Sequence, residues 1–410
     1  MSGLSRRRFL GLGAALTSTG MLAGCATVSG AQAPVVDSVD TGFAAEPLRG
    51  IEKPDITVGF IPITCASPIV NAAPLGIYAK HGLNVTLKKF SGWAEVWGAY
   101  ATGEIQATHM LAPMPLAIHN GLASGQTATR LPLLTNSNGQ AITLALEHRD
   151  RVHGPEDMAR FVLGIPFDYS MHNLLLRHYL STGGVDPDTD VELRVMRPAD
   201  MVANLVTGNI DGYLAPDPFN QRAVAIGAGY LHVLTRDLWN GHPCCSFAVR
   251  DDFAAENPVT YRALTRAVVD AALWSNDPGH RAAAARSMAA ESYLNQNPEL
   301  LTQVLTGEFP DGTGRQLSVP DRIRFSPYPY EAMGVWMLSQ FQRWGLVPEG
   351  TFTTAESYRR SVRPVFDTTT AATALTDLGS APPQWNPELI MGSLFDPSDP
   401  TPWTAKQVKV

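Results

Sequence analysis

Short runs of strand-forming residues alternate along this chain with longer stretches of helical spacing, and Gly or Pro marks most of the changes. Residues 55–63 (DITVGFIPI) are a mostly apolar run of β-formers closed by Thr64, Cys65 and Pro68. An apolar stretch then leads to Gly82, which reads as strand, loop, helix and stop. Residues 84–90 (NVTLKKF) alternate as a half-buried strand does, and Ser91-Gly92-Trp93 follows at its end. Strands alternating with helices predict βαβ units around a largely parallel sheet, hence an α/β fold.

The pattern is written twice. Residues 101–115 (ATGEIQATHMLAPMP) align with residues 206–218 (VTGNIDGYLAPDP) across a two-residue gap. In each copy a Gly (Gly103, Gly208) can stop a helix in the left-handed conformation, a strand follows, and a Pro pair ends it. A second lobe therefore begins near residues 161–167 (FVLGIPF), continues into a helix capped by Ser170, and adds a strand at 191–196 and a helix at 198–206. Ser170 and its neighbours would face the end of the sheet where open α/β folds bind ligands. From about residue 253 the spacing turns helical, over 257–275, 280–295, 299–306 and 330–344. In the last of these Met333, Trp336, Met337, Phe341 and Trp344 share one face, as a core stripe does. After residue 378 a Pro-rich, polar tail is expected to wrap the surface.

At 410 residues the chain exceeds what one core usually supports, so two or more lobes or one large α/β unit are expected. Hydrophobic residues at 45% and charged residues at 17% exclude a disordered or fibrous chain. The net charge is −7 and no basic cluster follows the first ten residues, which removes the electrostatic footprint of a nucleic-acid binder. Residues 1–25 form a basic head (Arg6, Arg7, Arg8), a small and apolar stretch, and Leu22-Ala23-Gly24-Cys25, the pattern of an export signal. Residues 5–10 (SRRRFL) resemble a twin-arginine signal, and residues 22–25 resemble a lipobox, which implies cleavage before Cys25 and lipid on its sulfur. Residues 26–50 then serve as a flexible tether. The apolar stretch is too short to span a bilayer, so the expected placement is extracytoplasmic, tied to the membrane surface without crossing it.

Cys65, Cys244 and Cys245 remain, an odd number that defines no disulfide framework, and adjacent Cys244 and Cys245 lack the spacing of a zinc site. No metal or cofactor is expected. GxxxxGK[ST], GxSxG, HExxH and a strand-linked GxGxxG are all missing, so enzymatic chemistry has no strong candidate.

Residues 58–61 (VGFI), 68–82, 110–115 (MLAPMP), 138–140 (NGQ), 170–173 (SMHN), 208–211 (GNID) and 242–243 (HP) together resemble one family. The chain resembles the extracytoplasmic solute-binding proteins of ABC importers in the nitrate and bicarbonate group, with more distant likeness to sulfonate, taurine and thiamine-precursor binders. The resemblance runs from about residue 55 to 365. It implies a type II periplasmic-binding-protein fold, two α/β lobes joined by a hinge around a central ligand cleft. Lobe 1 would take residues 51–147 and 246–395, lobe 2 residues 148–245, and 396–410 would be a tail. It also implies a monomer that closes over a small solute and is then recognised by a membrane permease.

By motif, the family's ligand contacts fall on Trp93, Gln140 and His172. Trp93 offers an indole N–H and a flat wall, Gln140 an amide donor and acceptor, and His172 one N–H when neutral or two when charged. Ala215 and Asp217 at a strand end, His242, Cys65, Cys245 and Asp168 are expected to complete the lining. Some of these residues depart from the family. After His-Pro the family continues with an acid and a Lys, whereas here Cys244 and Cys245 follow; Asp168 stands where an apolar residue or Pro is usual, and Cys65 replaces an acid. Losing one charge-assisted contact costs about 1.5–3 kcal/mol. The expected solute is small, planar and polar: nitrate- or bicarbonate-like, or, since the cleft loses a Lys and gains an Asp, a neutral or cationic nitrogen compound such as urea or guanidinium. The rival readings are an exported, pyrimidine-synthase-like enzyme using Cys65, Cys244, Cys245 or His172, and a sensory binding domain.

Overall fold

The computed structural model describes residues 40–42, 46–122, 125–386 and 389–405. The signal segment with Cys25, and the tether as far as residue 39, lie outside the described residues. Two large sheets organise the rest. The first contains β1 (Asp55–Phe60), β2 (Asn84–Lys89), β3 (Ala107–Leu111), β4 (Thr129–Asn138), β10 (Pro243–Arg250) and β13 (Ile323–Arg324), in the order β13-β4-β10-β3-β1-β2. The second contains β5 (Gln140–Ala145), β6 (Val162–Ile165), β7 (Glu192–Val195), β8 (Gly212–Pro216) and β9 (Gly229–Leu234), in the order β7-β6-β8-β5-β9. A small hairpin, β11 (Glu308–Pro310) with β12 (Gln316–Ser318), lies apart from both.

The two sheets share one plan. In the first, β1 pairs in parallel with β2 and β3, and β10 runs antiparallel to β3 and β4. In the second, β6 pairs in parallel with β7 and β8, and β5 runs antiparallel to β8 and β9. The repeat in the sequence maps onto this plan. Gly103 and Gly208 have φ of 75° and 70°, each after a helix (Trp93–Ala101, Pro198–Val206), and each leads into the third strand of its sheet, β3 or β8.

Each sheet also takes its antiparallel strand from the other side of a crossing. All six residues of β5 are buried between β8 and β9, so the outward crossing falls at residue 139, ahead of the boundary at 147 suggested by the sequence. The return is complete where β10 begins at Pro243, a little before the expected 246. The helix Glu331–Arg343, expected in lobe 1, also packs on lobe 2. Phe341 meets Tyr169 edge-on at 5.2 Å, and Arg343 lies 2.8 Å from His178. One hydrophobic core accordingly mixes both lobes, with Trp97 and Met114 beside Leu163, Leu174, Trp336 and Phe341. A second core, with Val58, Phe60, Leu264 and Val268, backs the first sheet alone.

The crossings are pinned together by one side chain. Asn138, with φ of 59°, donates from Nδ2 to the Asp321 carbonyl at 2.9 Å and to Asn240 Oδ1 at 3.2 Å, while its Oδ1 accepts from the Gly241 N–H at 2.8 Å. Gly139 follows with φ of 80°, and its N–H donates to the Arg322 carbonyl at 2.8 Å. A Cβ there would sit 2.9 Å from Ile323 Cδ1. Gly139→Ala must therefore accept both a left-handed backbone and a clash, and it should lower stability by about 1–3 kcal/mol in urea unfolding.

Candidate solute-binding site

Four residues from the two lobes meet between the sheets. Trp93 begins the helix Trp93–Ala101, straight after the extended Gly92, and is buried with its indole Nε1 unpartnered. Its ring lies 5.4 Å from that of His109 on β3. Gln140 is the first residue of β5. His172 stands in the first turn of the helix Met171–Thr182, which Ser170 caps by accepting from the Asn173 N–H at 3.0 Å. His109, Gln140 and His172 are all buried, and both side-chain nitrogens of each His and both amide atoms of Gln140 lack hydrogen-bond partners among the described residues. A buried polar group left unpaired costs about 1–3 kcal/mol. A concentration of such groups in one region is therefore the signature of a recess shaped for something that pairs with them.

Cys244 on β10 ties the set together. His109 and His172 both sense its charge, and the Gln140 amide lies against its sulfur without reaching full hydrogen-bond geometry. Cys65 Sγ is 3.4 Å and Cys245 Sγ 3.7 Å from Cys244 Sγ, and all three thiols are buried. Burial opposes ionisation of Cys244, but hydrogen bonds from Cys245 and Cys65 and the field of His172 hold its thiol well below the ordinary range. Burial and the Cys244 neighbour push Cys65 and Cys245 up. Burial also drives His109 down to about 3 and His172 to about 4, with Cys244 only partly opposing it. Near neutral pH the site therefore presents two uncharged imidazoles, an amide, an indole N–H and the buried sulfur of Cys244. Each imidazole supplies one donor and one acceptor.

The other expected lining residues are placed elsewhere or are already engaged. Asp168 is exposed, unlike the buried set, and its main-chain carbonyl accepts from Asn173 Nδ2. Asp217 is buried, but its carboxylate is held by Arg322, with Nε at 3.0 Å and Nη2 at 2.9 Å. The Ala215 carbonyl accepts from Asn220 Nδ2 at 2.7 Å. His242 has one ring nitrogen 2.8 Å from Thr235 Oγ1 and the other 2.9 Å from the Pro243 carbonyl oxygen, so both are satisfied. Cys65 and Cys245 do reach the site. His109 is the residue that sequence reasoning missed; the available signal was a lone His inside an otherwise apolar strand, at the ligand-facing end of the first copy of the repeat.

The lobes are closed over this set. Thr64, in the loop after β1, donates from its N–H and from Oγ1 to the Asp217 carbonyl, both at 2.9 Å. Trp97 lies 5.9 Å from Phe167 and 6.2 Å from Tyr169 across the cleft mouth. Arg322 stacks over Phe309 at 4.0 Å and donates to Gln221 Oε1 at 2.7 Å, which leaves it no freedom to serve a solute.

Two α/β lobes closed over inward-facing polar groups from both define a solute-binding receptor of the two-lobed periplasmic type. Residues 49–289 match the NMT1-like family. The nitrate/nitrite binding protein NrtA of Synechococcus elongatus is 30% identical over 388 residues, covering 87% of this chain and 86% of its own. The crystal structure of the periplasmic nitrate-binding protein NrtA from Synechocystis aligns with a TM-score of 0.81 at 25% identity, over 88% of this chain and 100% of that one. The nitrate import ATP-binding protein NrtC of Synechocystis is 31% identical over 374 residues, 86% of this chain but 55% of its own, so the chain spans about half the length of that relative. The chain belongs to the NMT1-like family. Among the described residues no helix is long and apolar enough to cross a membrane.

Two consequences can be measured. Arg322→Leu strands Asp217 as a buried, unpaired carboxylate, and chemical denaturation should show a loss of about 3–5 kcal/mol. The imidazoles set a pH dependence. Their folded pKa values lie below the ordinary 6.5, so between about 4 and 6.5 the unfolded chain binds protons that the folded chain refuses. Stability is then full above pH 6.5 and falls as the pH drops toward 4, by ~3 kcal/mol for His172 alone. Thermal melts from pH 7 to 4 should show a shallower decline for His172→Gln than for the unaltered chain.

Proposed function

We propose that the chain captures a small, planar, polar solute of little or no negative charge, such as urea or guanidinium, and presents it to the permease of an ABC importer. The observation that carries this reading is the set of unpartnered atoms on Trp93, His109, Gln140 and His172, supplied by both lobes and carrying no cation. Closure around a solute that pairs with these atoms favours the closed form, which is the form a permease would read. No covalent step is required. The relatives NrtA and NrtC carry nitrate in their names. In this chain a buried anion would meet neutral imidazoles and an amide, with no cation among them to offset its desolvation. A solute whose N–H groups donate to the Gln140 oxygen and one acceptor nitrogen on each imidazole fits that set.

We further place the receptor outside the cytoplasm, held at the membrane surface by lipid on Cys25, a reading that rests on residues 5–10 and 22–25. Lipid anchoring keeps the receptor near its permease and raises their effective concentration. A tethered monomer suffices for that role.

Isothermal titration with urea, guanidinium, nitrate and bicarbonate tests the solute. Urea or guanidinium should bind at least tenfold more tightly than nitrate, with Gln140→Ala and His172→Ala each losing about tenfold or more. Tight nitrate binding with no heat from urea or guanidinium would show the charge argument to be wrong.

A further inference from the structure

The thiols at the cleft wall are arranged in a way their spacing in the chain does not suggest. Cys244 and Cys245 are neighbours on a strand, where successive side chains normally point to opposite faces. Their sulfurs nevertheless lie 3.7 Å apart, and the cause is local. β10 breaks register against β4 between Pro243 and Cys245 and again between Cys245 and Ser246, and such irregularities re-aim side chains. The turned pair faces Cys65, 179 residues away in the chain, whose sulfur is 3.4 Å from that of Cys244. All three sulfurs lie within 4.8 Å of one another, fully buried, at the junction of the loop after β1 with β10.

From this geometry we infer that Cys65, Cys244 and Cys245 form a binding site for one zinc ion in the wall of the solute cleft. With zinc–sulfur bonds of ~2.3 Å, two thiolates on a tetrahedral ion stand about 3.8 Å apart, and the sulfur separations here need only small side-chain adjustments to reach that value. Three thiolates leave one coordination position. His109 and His172, both near Cys244, carry buried imidazole nitrogens without partners, the donor type that completes a Cys₃His set. As each sulfur–zinc bond forms, any proton on that sulfur is released to solvent, and no oxidant or reductant takes part. Three thiolates around a divalent ion keep one net negative charge. The metal therefore does not replace the missing cation, and an imidazole that ligates it is no longer open to a solute.

The test uses the full chain with Cys25→Ser, which leaves only these three cysteines. Reduced protein is loaded with Zn²⁺, separated from free metal and assayed for zinc, and a parallel sample is loaded with Co²⁺ for its absorption spectrum. The expected result is one zinc per chain and a cobalt spectrum with thiolate charge-transfer and tetrahedral d–d bands. Cys65→Ser, Cys244→Ser and Cys245→Ser, each checked for folding by near-UV circular dichroism, should each weaken zinc by more than the ~10–100-fold that loss of an outer-shell partner costs. The cobalt spectrum of the Cys25→Ser chain decides the matter even if a serine variant does not fold. Lack of a charge-transfer band, equal zinc retention in a folded triple serine variant, or a disulfide between two of the three sulfurs in place of metal would each overturn the site. Solute titration on metal-free protein reads the cleft separately, so failure of one reading is distinguishable from failure of the other.

Discussion

Each sheet completes itself with a strand from the far side of a crossing, and that exchange constrains everything built around the cleft. β5 enters the second sheet before the rest of its lobe is made, and β10 returns to the first after that lobe is finished. Neither lobe can therefore be ordered without the crossings, which run side by side through residues 138–140 and 239–243. A third segment reinforces them. β13 pairs with the end of β4, and its neighbours Asp321 and Arg322 make ion pairs into the second lobe, with Arg236 and Asp217 respectively. The hinge is a three-segment joint with its polar groups largely paired internally. That allows the cleft beside it to keep polar groups unpaired.

The contrast between these two regions is energetic. Asp217 and Arg322 are both buried and meet through two hydrogen bonds, so their desolvation is offset locally and their geometry is fixed. Trp93, His109, Gln140 and His172 are equally buried but have no such offset. Their burial raises the free energy of the empty closed state, and a ligand that pairs with them recovers that cost. Closure driven by solute follows from the difference: the paired joint holds the lobes in register while the unpaired wall makes the closed form favourable only when filled.

Much of this was legible in the chain because it is local. The Gly stops at 103 and 208, the Pro-bounded strands that follow them and the Ser170 cap are all set by residues within a turn of one another, and the duplicated topology follows from them. Trp93, Gln140 and His172 stand at element starts, where a short motif fixes position. The failures are all long-range. Asp217 read as a ligand because its partner, Arg322, lies 105 residues on. Cys65 and Cys244 read as separate departures because 179 residues separate them, yet their sulfurs lie 3.4 Å apart.

Burial sets the electrostatics of the recess that Trp93, His109, Gln140 and His172 form. A pocket built for an anion gains from protonated imidazoles, yet burial holds His109 and His172 neutral well below physiological pH. Arg322 is locked onto Asp217 and Gln221 and stacked on Phe309. Each of these features alone would weaken an anion's hold; together they remove every charge-assisted contact that the described wall could offer it. The same atoms suit a donor-rich solute of the kind proposed above, for which an amide oxygen and two imidazole acceptors are partners rather than obstacles.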